Sequence, residues 1–146
     1  MEIYNSQDAP DEFVQGFIWW ARHECPTQQY VRSSCGSPVP ILDELSPDCA
    51  AKITDQCNEF WGLAKTVIRD TKGRCNWHPS VDTDENHVRN CGGNFYFARK
   101  GNEFFMNQWP EKERAEFCNL SSQFGPMHLT ERDGKLEFTE GSAPSI

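Results

Sequence analysis

Apolar residues recur at helical spacing in the first half of the chain and alternate near its end, with a polar stretch between the two patterns. Over residues 8–23, Phe13, Val14, Phe17, Ile18 and Ala21 share one stripe behind Pro10, Asp11 and Glu12, which predicts an amphipathic helix. Pro26 interrupts it, because the residue before a proline is pushed out of helical dihedrals. A short helix over residues 26–35 is expected to follow. The strongest pattern covers residues 46–71. Ser46 stands as N-cap with Pro47 behind it, Ala50, Ile53, Cys57, Phe60, Trp61, Ala64, Val67 and Ile68 fall on one face, and Gly73 lies past the end.

Residues 74–93 are rich in Asn, Asp and Gly and read as a long polar loop. Two aromatic-rich strands, 94–98 and 103–107, are expected next, joined as a hairpin through residues 99–102. Pro110 opens a short charged helix ending near Leu120. A second hairpin over residues 127–139 alternates around Asp133-Gly134, a pair suited to a type I′ turn because both central positions need positive φ. In that register Leu129 faces Phe138, and His128 falls on the opposite, polar side as an exposed or ligand-binding histidine. The expected fold is therefore α+β. N-terminal helices at about 8–23, 26–35 and 46–71 pack on a C-terminal antiparallel sheet of hairpins at about 94–107 and 127–139. One domain is expected over residues 1–140, with a flexible tail at 141–146.

A chain of 146 residues can bury a core without covalent staples, so its seven cysteines are not needed merely to fold it. Their enrichment points to an oxidising compartment or a metal site, and the odd count leaves one thiol over. The net charge of −8 disfavours nucleic acid, whose affinity comes from Lys and Arg releasing counterions. No run approaches the ~18 apolar residues of a membrane span, and the first residues lack the basic and apolar parts of a secretory signal. Secretion of a mature form, or residence in the mitochondrial intermembrane space, fits an oxidised chain. A cytoplasmic location is the alternative.

Six cysteines are the disulfide candidates: Cys25, Cys35, Cys49, Cys57, Cys75 and Cys91. Cys118 is left over. Cys49 and Cys57 are too far apart along one helix to bridge each other. On two antiparallel helices Cys35 would meet Cys49 and Cys25 would meet Cys57. That arrangement resembles the coiled-coil-helix-coiled-coil-helix proteins of the intermembrane space, over residues 25–57 only.

Cys75 and Cys91 admit two chemistries. They close the polar loop as a disulfide, or they join His78 and His87 as a Cys2His2 set for which zinc is the natural ion. Cys75-Asn76-Trp77-His78-Pro79, with Asn94-Phe95-Tyr96, Phe104-Phe105 and Trp109 beyond it, resembles the GRF-type zinc finger, whose family implies a single-stranded DNA role. Its later two cysteines would fall near Phe97 and Glu103, so His87 and Cys91 would have to substitute.

Asp82-Thr83-Asp84-Glu85-Asn86 begins like a calcium loop but lacks the turn glycine and the final glutamate. Asn119-Leu120-Ser121 is a glycosylation sequon. No nucleophile elbow, phosphate loop or H-E-x-x-H is present, and no catalytic residue is assigned. Three readings follow. The first is a disulfide-stabilised, non-enzymatic interaction protein, effector-like or an accessory subunit, with a protein partner. The others are an intracellular zinc-binding adaptor and, by architectural analogy, a small NTF2-like ligand-binding domain or enzyme with a pocket near His128.

Overall fold

The computed structural model describes residues 2–24, 45–74, 83–102, 106, 109–132 and 134–141. Their order is a short 3-10 turn (Ile3–Asn5), α1 (Asp11–His23), α2 (Pro47–Thr71), α3 (Asp84–Ala98), α4 (Glu111–Ser122), β1 (Met127–Arg132) and β2 (Lys135–Glu140). The fold is α+β, with helices preceding a two-stranded antiparallel sheet. The expected helix at 26–35 and the tail beyond Gly141 lie outside the described residues. No helix among the described residues is long and apolar enough to cross a membrane.

The first hairpin expected from the sequence is corrected. Residues 84–93 are not loop, and residues 94–98 are not strand: both belong to α3. Thr83 accepts from the Asn86 N–H at its N-cap, and Asp84 and Glu85 fill the first turn. Every residue from Cys91 to Ala98 is buried, so this helix has no solvated face there to give its sequence a helical period. Of the expected second strand, only Met106 is described, and it lies in a turn of 3-10 type.

α1 and α3 run parallel and very close. A Cβ added at Gly16 would overlap the Arg89 carbonyl, one at Gly92 the Phe13 carbonyl, and one at Gly93 the Trp20 indole. Side-by-side parallel helices align their dipoles unfavourably. Here Asp11, Glu12, Asp84 and Glu85 gather at the two N-termini and Arg22, His23, Arg99 and Lys100 at the two C-termini, which offsets that cost. Glu24 clasps the basic ends, accepting from the Tyr96 hydroxyl at 2.9 Å and pairing with Lys100.

The core is mostly aromatic. Phe60 of α2 stacks on Phe95 of α3 with centroids 3.9 Å apart and planes 9° from parallel. Phe13 and Phe17 of α1 pack on Phe95, and Phe117 and Phe124 meet Phe60 edge-on. The sheet joins this core through Ser46. Its hydroxyl accepts from the Cys49 N–H and donates to Glu137 Oε2 at 3.0 Å, while its own N–H donates to the Leu136 carbonyl. The hairpin has the expected register, Leu129 opposite Phe138, and Gly134 has φ of +80°.

Candidate functional site

His87 and Cys91 stand one helical turn apart on α3, both 0 % exposed, with Nε2 and Sγ 3.9 Å apart. Two ligands at a tetrahedral angle around one zinc ion lie ~3.5 Å apart, so the pair has roughly the right separation for a shared ion. The hydrogen bonding assigns the ring another task. Nε2 lies 3.0 Å from the Ile68 carbonyl and 2.9 Å from Thr71 Oγ1, whose own hydrogen goes to the same carbonyl at 2.8 Å. A carbonyl only accepts, so Nε2 carries a proton and donates. A metal at Nε2 would have to remove that proton and break the bond to Ile68. Tyr4 meets the ring edge-on and Trp109 stacks over it, each with centroids 6.4 Å away. Cys75 and His78 lie outside the described residues. Among those described, no three metal-ligating side chains stand together.

Cys49 and Cys57 both sit on α2 and point into the core. Burial pushes the Cys49 thiol up to about 12; the Glu137 carboxylate adds to the rise and Lys52 partly opposes it. Burial raises Cys57 further, against a small opposing pull from Arg99. Neither is a thiolate near neutrality, so neither is a nucleophile there. Their candidate partners Cys25 and Cys35 lie outside the described residues. Cys118 is half-buried, with Sγ 3.6 Å from Met106 Sδ.

His128 is a further correction. It lies on the polar side of the hairpin but is buried: His128 is 6 % exposed, and its Nδ1 lies 3.0 Å from the Gly141 carbonyl. His23 likewise places Nδ1 2.8 Å from the Trp19 carbonyl. All three described histidines therefore use a ring nitrogen to donate to a backbone carbonyl.

Two features carried little signal in the sequence. Arg99, at the end of α3, is 3 % exposed, and its Nε and Nη2 donate to the carbonyls of Gly125 and Phe124 at 2.7 and 3.1 Å. Its guanidinium lies between 5.3 and 6.0 Å from the rings of Phe95, Phe17, Phe124 and Phe138. Desolvation lowers it to about 10, so it remains charged at neutral pH. The second feature is a half-buried aromatic surface at the C-terminal end of α1. There the His23 ring lies on Trp19 with centroids 3.8 Å apart, and Trp20 crosses Trp19 at 87°. The adjacent Trp19-Trp20 pair was its only trace in the sequence.

At the opposite end of α1 and α3 an open cleft of about 440 Å³ is lined by Glu2, Glu12, Asp84 and Glu85 together with Ile3, Ser6 and Pro10. Tyr4 donates to Asp84 at 3.0 Å and Lys72 approaches it at 3.9 Å. No family model, curated protein or solved structure matches this chain.

Proposed function

We propose that this chain is a small, cysteine-rich, disulfide-stabilised interaction protein of an oxidising compartment, binding a protein partner rather than catalysing a reaction. The observation that carries the reading is the use made of its reactive side chains. His23, His87 and His128 each donate to a backbone carbonyl, and Cys49 and Cys57 are buried in the core, out of reach of a substrate. Such groups order a fold and are poorly placed to exchange protons or attack a substrate. The Trp19, Trp20 and His23 surface offers the aromatic, amphipathic character found at interface centres.

Mass measurement of the native chain tests this. Three disulfides make it six hydrogens lighter than the reduced form and leave one of the seven cysteines to be alkylated. Seven alkylated thiols in the native protein would overturn the reading.

The zinc-adaptor reading is favoured by one observation, the His87–Cys91 pair at 3.9 Å. It requires stoichiometric zinc in protein purified without chelator, and loss of that zinc in His87→Ala.

A further inference from the structure

We propose that Asn119 is a site of N-linked glycosylation, loaded before α4 packs onto the rest of the fold. The inference rests on the oxidising-compartment reading and sharpens it, selecting the secretory route over the intermembrane space. The sequon Asn119-Leu120-Ser121 lies in the last turns of α4. Phe117 and Ser121 form that helix's buried stripe, and Asn119 lies about 160° around the helix from each. Asn119 is exposed. A glycan there projects into solvent beside the exposed Ala115 and Ser122 and displaces nothing from the core.

The acceptor hydroxyl of the same sequon is differently placed. Ser121 is 0 % exposed and its Oγ donates to the Phe117 carbonyl at 2.8 Å. Transfer joins the Asn119 amide nitrogen to the anomeric carbon of a lipid-diphosphate-linked oligosaccharide. The bond from that carbon to the diphosphate oxygen breaks, the lipid diphosphate leaves with the electron pair, and one amide proton passes to the transferase. The enzyme reads the sequon through the Ser hydroxyl. In the folded protein that hydroxyl is inside, so the reaction belongs to the unfolded chain.

The test is translation of the full chain behind a cleavable leader, with microsomal membranes present during synthesis. One glycosidase-sensitive shift is expected, lost in Asn119→Gln, whose exposed position keeps the fold intact. The purified folded chain, incubated with detergent-opened membranes, is expected to show no shift, and the urea-unfolded chain diluted into the same membranes is expected to regain it. Absence of the shift during synthesis, with a control glycoprotein modified alongside, overturns the site. Equal modification of the folded chain overturns the timing. Alkylation of the same product counts disulfides, so a bridged but unglycosylated chain removes this proposal alone, and an unbridged one removes the reading beneath it.

Discussion

Gly92 of α3 lies against the backbone of Phe13 in α1 so closely that a Cβ added to it would overlap the Phe13 carbonyl oxygen. The two helices can approach this far only because a hydrogen atom occupies the contact. Gly92→Ala is expected to force them apart and cost ~3 kcal/mol or more, since the obstacle is backbone and cannot rotate away. Gly62 supplies the control. It is exposed within α2 with nothing within 4 Å of a built Cβ, so Gly62→Ala is expected to stabilise by about 0.5–1 kcal/mol. Chemical denaturation midpoints of the two variants should move in opposite directions.

His87 and Thr71 share the Ile68 carbonyl. Removing the ring leaves a cavity between Tyr4 and Trp109 and deprives the carbonyl of one donor, so His87→Ala is expected to cost ~2–4 kcal/mol. Thr71→Val keeps the volume and removes only the hydroxyl, with about 1 kcal/mol expected. If the histidine acts as a core donor, both losses persist unchanged in the presence of a strong chelator. A thermal melt of the parent that falls on adding chelator would contradict that role.

The buried thiols make a pH signature. Cys49 rises from its ordinary 9.0 to about 12 in the fold and Cys57 rises as well. Above pH 9 the unfolded chain loses these protons while the native chain keeps them, so stability is full below pH 9 and declines as pH rises. The decline is about 1.4 kcal/mol per pH unit for each thiol. Arg99, lowered to about 10, acts in the opposite sense above that value, which confines the clean window to roughly pH 9–10. A bridged cysteine has no proton to lose. Denaturant titrations across this window are expected to slope downward in the reduced protein and to lie flat in the oxidised one; a slope in neither form would mean that these thiols are not buried as described.

Arg99 ties the end of α3 to the turn before β1 through two carbonyls while lying among four phenylalanine rings. Arg99→Lys keeps the charge but loses the planar fork, and a cost of ~2 kcal/mol is expected. Arg99→Ala also opens a void, with about 3–5 kcal/mol expected. Near-wild-type unfolding midpoints in both variants would remove this residue from the forces that hold the sheet to the helices.

α1, α2, α4 and the register of the last hairpin were legible because each has a solvated side, and solvent on one side writes a period into the sequence. Ser46, Pro47 and the stripe from Ile53 to Ile68 mark α2 by local chemistry alone. Leu129 opposite Phe138 follows from a two-residue turn and alternation. α3 was not legible in this way, since from Cys91 to Ala98 every residue is buried, and Phe95, Tyr96 and Phe97 pattern as well for a strand as for an enclosed helix. Its start was written in Thr83, Asp84 and Glu85, a cap signal that the polar surroundings masked.

The chain alone thus determined an α+β order, most element boundaries and the list of side chains able to hold metal or form bridges. The i, i+4 spacing of His87 and Cys91 is local, and it puts them together as soon as α3 forms. What the ring then does depends on Ile68 and Thr71, on another helix. Likewise Gly141 supplies the carbonyl that His128 meets, and Phe13 decides why Gly92 must be glycine. Only the tertiary structure supplies these partners, because a side chain's role is set by the donors, acceptors and walls around it, and those come from distant parts of the sequence.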